Sequence, residues 1–143
     1  RLPSGPVAVF PAPRAADSPR VLVVDDDPAT AGFVTEALRS LGVEPHTALT
    51  GERALMDARG IAFSAAVLDL VLPDMTGIDV ARSLRQSARN PDIAVILLTG
   101  AADVPVDAGP EVREVLHKPV LVSALQAALG RIGVPTLTPP ERP

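Results

Sequence analysis

Four short apolar runs in this chain are each followed at once by residues suited to phosphoryl chemistry. The run 21–24 leads into Asp25, Asp26 and Asp27, 65–68 into Asp69, 93–98 into Thr99, and 115–117 into Lys118 and Pro119. Short, continuously apolar, β-branched segments are the pattern of strands buried on both faces. When such strands run parallel with helices between them, their carboxyl ends share one edge of the sheet, and residues from distant segments meet there. Three clustered carboxylates, a hydroxyl and an ammonium on one edge describe a divalent-cation site with a nucleophilic Asp and two groups able to hold phosphoryl oxygens.

The segments between these runs carry helix signals, so the expected class is α/β with a doubly wound, five-stranded parallel sheet. Asp27 is placed to cap the first helix, Pro28 to occupy its first position, Val34, Ala37, Leu38 and Leu41 to form its apolar stripe, and Gly42 to end it. A strand is expected over 43–47 and a helix over 51–59, then the strand 65–68 and a helix near 78–87 with Ile78, Ala81 and Leu84 inward. Asn90, Pro91 and Asp92 read as a turn before the fourth strand. Between Thr99 and the fifth strand, 113–117, the residues Pro105, Gly109 and Pro110 oppose a long helix, so the fourth helix is expected to be short or irregular. A last helix fits 120–132, with Leu121, Leu125, Ala128, Leu129 and Ile132.

The ends differ in composition. Residues 1–19 carry five prolines among small residues and read as an extended linker, and 133–143 read as a second Pro-rich tail around a domain over 20–132. With 143 residues, 47% apolar content and only three Phe as aromatics, the core must be built from Val, Leu, Ile and Ala. The absence of Cys excludes a disulfide framework or thiolate metal site and is compatible with a reducing cytoplasm, the location expected. A net charge of -4 supplies no basic footprint, so this segment is not expected to contact nucleic acid. No apolar run approaches the roughly 20 residues that cross a bilayer, so no membrane contact is expected either.

Taken together, VLVVDDDP (21–28), LDLVLPDMTG (68–77), Thr99-Gly100 and LHKP (116–119) resemble the receiver domain of two-component response regulators over about residues 20–132. The resemblance implies a flavodoxin-like sheet of strand order 2-1-3-4-5 and a Mg2+-dependent phosphoacceptor. It makes Asp69 the acceptor, Asp26 a direct metal ligand, Asp25 the holder of a metal-bound water, and the Val71 backbone carbonyl the third protein contact to the metal. Thr99 would donate to a phosphoryl oxygen, and Lys118 would pair with Asp69 or the phosphate, with a cis peptide before Pro119. The phosphoryl group would come from the phosphohistidine of a histidine kinase or a histidine phosphotransfer protein. Such a domain promotes its own phosphorylation and dephosphorylation, and its parent chain can be a kinase. Arg1, Leu2 and Pro3 followed by a linker look like the end of a kinase ATP-binding domain, which makes a hybrid histidine kinase the favoured setting and a stand-alone single-domain response regulator the alternative.

Each residue also has a plainer reading. Asp25 to Asp27 could be a helix cap in a solvated acidic run, Asp69 a turn-capping Asp, Thr99 a strand end, and Lys118 a surface lysine. His46 and His117 lack a convergent partner set and read as ordinary polar residues. Two departures from the family pattern stand out. Val115 replaces the aromatic residue expected three positions before the Lys, and neither Val71 nor Ala101 offers a polar group to orient water. An Asp-nucleophile phosphatase of the haloacid-dehalogenase kind would need an acid at Val71 and a cap domain. A partner-binding pseudo-receiver would have lost an acid, the Thr or the Lys. A flavodoxin-like cofactor carrier conflicts with an acidic first loop, which repels phosphate.

Overall fold

The computed structural model describes residues 18–100 and 110–137. Their elements run β1 (Arg20–Val24), α1 (Pro28–Ser40), β2 (Glu44–Ala48), α2 (Gly51–Ala58), β3 (Ala65–Asp69), α3 (Gly77–Arg85), β4 (Ala94–Thr99), β5 (Val112–His117) and α4 (Val122–Arg131). All strand pairs are parallel, and the sheet order is β2-β1-β3-β4-β5, the doubly wound arrangement expected. The expected irregular helix after Thr99 falls on 101–109, outside the described residues.

Strand alternation divides the core in two. Val21, Val23, Val67, Ile96 and Leu98 pack under α1 and α4, against Val34, Leu38, Leu41, Leu125 and Leu129. Leu22, Val24, Leu68, Val95 and Leu97 face the other way, against Ala54, Val80, Ala81 and Leu84 of α2 and α3. With both faces covered, every residue of β3 and β4 is buried, which is why these strands read as unbroken apolar runs.

Local chemistry sets the element ends. Asp27 accepts from the Ala29 amide at the start of α1, Pro28 follows it, and Gly42 closes the helix at φ +80, a conformation that a side chain would disfavour. The Thr76 hydroxyl accepts from the Asp79 amide while the Asp79 carboxylate accepts from the Thr76 amide, a reciprocal cap that starts α3.

Several details differ from expectation. Leu121 is 63% exposed: it sits with extended backbone at the cap of α4 rather than on its buried face, and Val120 is buried instead. Residues 133–137, expected as tail, include Val134 in the core, and the Leu137 amide donates to the Leu41 carbonyl (2.7 Å). Asn90 is more than a turn residue. Buried, it accepts from the Phe63 amide (2.7 Å) and donates to the carbonyls of Ala58 (3.1 Å) and Ile61 (3.0 Å), tying down the link between α2 and β3. His46 has a partner after all, with Nε2 2.9 Å from Asp57 Oδ2, and Arg53 Nε lies 3.2 Å from the other oxygen of that carboxylate.

Candidate functional site

The carboxyl ends of β1, β3 and β4 and the residue after β5 carry Asp25, Asp69, Thr99 and Lys118 to one edge of the sheet. Asp25 is fully buried, with Oδ1 accepting from the Asp27 amide (2.9 Å). Asp69 closes β3 at 7% exposure, and Oδ1 accepts a long hydrogen bond from the Val71 amide (3.4 Å). Gly77 packs so tightly on the Asp69 carbonyl that a side chain there would collide with it.

Lys118 reaches between the acids. Its Nζ lies 3.2 Å from Asp25 Oδ2 and 3.3 Å from Asp69 Oδ2. The contact to Asp25 lacks hydrogen-bond alignment, so Coulomb attraction rather than a directed bond holds that buried oxygen. The Lys118 amide donates to the Thr99 carbonyl (2.9 Å), and the Lys118–Pro119 peptide is cis. Thr99, buried at the end of β4, follows Leu98, the register partner of Asp69.

Charge follows geometry. Burial first, and the neighbouring Asp25 second, push the Asp69 carboxyl above its ordinary value, and Lys118 offsets only part of this. Burial works against the Lys118 ammonium, but the two carboxylates outweigh it and hold its pKa above the usual lysine range. Asp27 behaves differently: exposed, and bonded to the Thr30 hydroxyl (2.8 Å) and the Ala29 amide, its carboxyl is held low.

The carboxylates of Asp25, Asp26 and Asp69 each bring an oxygen within 4.8 Å of the others, with Asp26 exposed at the mouth. Hard oxygen donors, open access and a buried Asp25 oxygen without an aligned donor fit a small divalent cation. Val71 is 70% exposed beside the site, and no polar side chain stands at its position. Ala101 lies outside the described residues.

Three features of this edge escaped sequence reasoning. They are the close approach of Gly77 to Asp69, the bridging position of Lys118 between two acids, and Asp74, whose carboxylate bonds the start of α2. All three residues lie in the motifs 68–77 and 116–119, and Lys118 was expected to pair with Asp69, but its contact with Asp25, the Gly77 approach and the Asp74 clamp were not foreseen.

Residues 21–130 match the response regulator receiver domain family. The probable transcriptional regulatory protein TcrX of Mycobacterium tuberculosis is 41% identical over 127 residues, covering 82% of this chain and 52% of the relative. The DNA-binding response regulator MtrA of Mycolicibacterium smegmatis is 35% identical over 116 residues, covering 78% and 51%. The chain thus spans about half the length of these curated relatives. Among solved structures, the receiver domain of the sensor histidine kinase PA1611 from Pseudomonas aeruginosa superposes with a TM-score of 0.73 at 28% identity, covering 81% of this chain and 98% of that one. That structure has a magnesium ion coordinated in its active-site cleft.

Proposed function

The chain belongs to the response regulator receiver domain family, the phosphoacceptors of two-component signalling, and on that premise we propose that Asp69 receives the phosphoryl group in a Mg2+-dependent transfer from phosphohistidine. The observation that carries this reading is the meeting of three carboxylates within 4.8 Å beside an ammonium 3.3 Å from Asp69 Oδ2.

An Asp69 oxygen forms the new bond to phosphorus as the P–N bond of the phosphohistidine breaks and the imidazole leaves. Two anions repel, so attack requires positive charge at the point of approach. Mg2+, held by Asp26, Asp69 and the Val71 carbonyl, with Asp25 holding a metal-bound water, would supply Lewis acidity and charge neutralisation there. Lys118 contributes a second positive charge, already drawn to the acceptor. The Thr99 hydroxyl, at the same edge, donates to a phosphoryl oxygen. A mostly apolar groove of about 240 Å³ lined by Ala29, Thr30, Phe33, Lys118, Pro119 and Val120 suits a histidine kinase or phosphotransfer partner presenting its histidine.

Incubation with Mg2+ and a small phosphodonor, followed by intact-mass measurement, tests the assignment. One added phosphate is expected on the wild type and none on Asp69→Asn or in excess chelator. Phosphate appearing equally on Asp69→Asn would sink it.

The parent setting is a second proposal. A hybrid histidine kinase is the setting expected above, whereas the relatives named for transcription or DNA binding share 41% and 35% identity against 28% for the kinase receiver. The latter comparison weighs toward a transcriptional regulator. Reading the coding sequence on either side of this segment separates the two.

A further inference from the structure

We propose that Asp74 is a positioning residue for the metal-dependent reaction, acting by fastening the loop that follows the phosphoacceptor to the amino terminus of α2. The inference rests on the reading of Asp69 and Val71 given above and adds a residue that has no contact with the metal or the phosphoryl group.

The loop 70–76 leaves the sheet directly after Asp69 and returns to start α3. It is closed at its base, where the Gly77 amide donates to the Leu70 carbonyl (2.8 Å) and Val71 bridges to Thr76, and again where the Leu72 amide donates to the Met75 carbonyl (3.1 Å). A loop closed only on itself can still swing about its base. Its tip is held by Asp74, whose Oδ1 accepts from the Gly51 amide (3.0 Å) and Oδ2 from the Glu52 amide (2.8 Å).

The first turn of a helix has backbone amides without partners inside the helix. Three such amides follow the cap of α2: that of Arg53 is taken by Thr50 Oγ1 (3.1 Å), while the Ala54 amide already makes the first helical bond, to the Thr50 carbonyl (3.1 Å). The other two are taken by a carboxylate from a different crossover of the fold. Negative charge is favoured at that end of a helix, and these two amides hold the Asp74 carboxyl below its ordinary value. A second, apolar contact reinforces the first. Met75 lies over Gly51, where an added β-carbon would meet its Cγ at 2.5 Å, so the missing side chain lets the loop tip sit against the helix.

The consequence falls on Val71, which the carboxylate clamp holds from three residues away. A metal ligand that is a backbone carbonyl can be aimed only by the backbone around it. Groups that orient a ligand without touching the metal commonly matter by an order of magnitude or more in affinity. Coupling is reciprocal, so metal bound at Val71 should in turn protect the amides of Gly51 and Glu52.

The test compares Asp74→Ala, Asp74→Asn and Thr50→Ala in the intact protein, with Mg2+ affinity by calorimetry and amide exchange in the metal-free state. Asp74→Ala is expected to weaken Mg2+ binding about tenfold and to speed exchange at Val71 and Leu72 without metal. Asp74→Asn, which keeps one acceptor oxygen, should fall between it and the wild type. Thr50→Ala removes a cap from the same helix without touching the loop, so it should lower the melting temperature and leave Mg2+ affinity unchanged. If Asp74→Ala does not fold, the Asn variant decides by the same two readouts. Mg2+ affinity within twofold of wild type in the Asp74 variants, or an equal loss in Thr50→Ala, overturns the proposal. Failure of the wild type to bind Mg2+ would instead condemn the site reading, and metal-free exchange at Val71 and Leu72 would still decide whether Asp74 holds the loop.

Discussion

Gly77, the first residue of α3, rests against the main-chain carbonyl of Asp69 with no room for a β-carbon between them. Backbone cannot retreat as a flexible side chain can. Gly77→Ala should therefore displace Asp69 or the start of α3, costing about 1–3 kcal/mol as overpacking does, and should slow phosphorylation more than that loss of stability explains. Denaturant unfolding and phosphorylation rates of the folded variant, measured together, check both parts. A variant that unfolds earlier but is phosphorylated at the wild-type rate would show that the contact is structural only.

Asp26 and Asp27 are adjacent, yet their surroundings assign them different work. Asp26 faces the carboxylate cluster, whereas Asp27 is engaged with the Ala29 amide and Thr30 hydroxyl at the start of α1. Asp26→Asn is expected to weaken Mg2+ binding by about tenfold or more while sparing stability. Asp27→Ala should lower the melting temperature and leave Mg2+ affinity near wild type. Calorimetric titration that found the reverse order would overturn the register of the acidic pair.

The pH behaviour of metal-free protein follows from Asp69. Burial, then Asp25, raise its folded pKa above the ordinary 3.8, with Lys118 pulling the other way. A carboxyl raised on folding contributes stability that is present below its unfolded pKa and lost as pH rises through its folded pKa. Metal-free stability should carry a component that declines across that window and that Mg2+ restores at higher pH. Lys118→Met should push the Asp69 titration further upward, because it removes the opposing charge. Carbon-detected NMR titration of Asp69 reads this directly, and a midpoint at or below 3.8 in the wild type would contradict it.

Val71, 70% exposed beside Asp69, has no group that can orient water toward a phosphoryl group. Spontaneous dephosphorylation should be slow, and Val71→Asn should hasten it several-fold by offering an amide there. The decay of phosphoprotein mass over time settles the matter: equal lifetimes would mean that water is positioned from elsewhere.

How much of this was legible in the chain depends on the reach of each interaction. The strands announced themselves because both faces of a parallel sheet are covered, so 21–24, 65–68 and 93–98 had to be apolar throughout. The Asp27 cap, Pro28 and Gly42 were legible because caps and stops act within a few residues. The family pattern then named Asp25, Asp26, Asp69, Thr99 and Lys118 in order, and the fold brings their strand ends to one edge. Leu121 misled because an apolar residue next to a helix looks the same whether it lies on the buried face or at the exposed cap.

Sequence by itself determined the parallel α/β class and which residues gather at the carboxyl edge, since both follow from local periodicity and the order of segments along the chain. Tertiary structure alone decided that the Lys118 ammonium lies between Asp25 and Asp69, that Asn90 ties the approach to β3, and that Asp74 caps a helix 22 and 23 residues upstream of itself. These contacts depend on the distance between loops after the sheet is assembled. A carboxylate or amide finds its partner across that gap by hydrogen bonding and charge, which carry no periodicity that the chain could display beforehand.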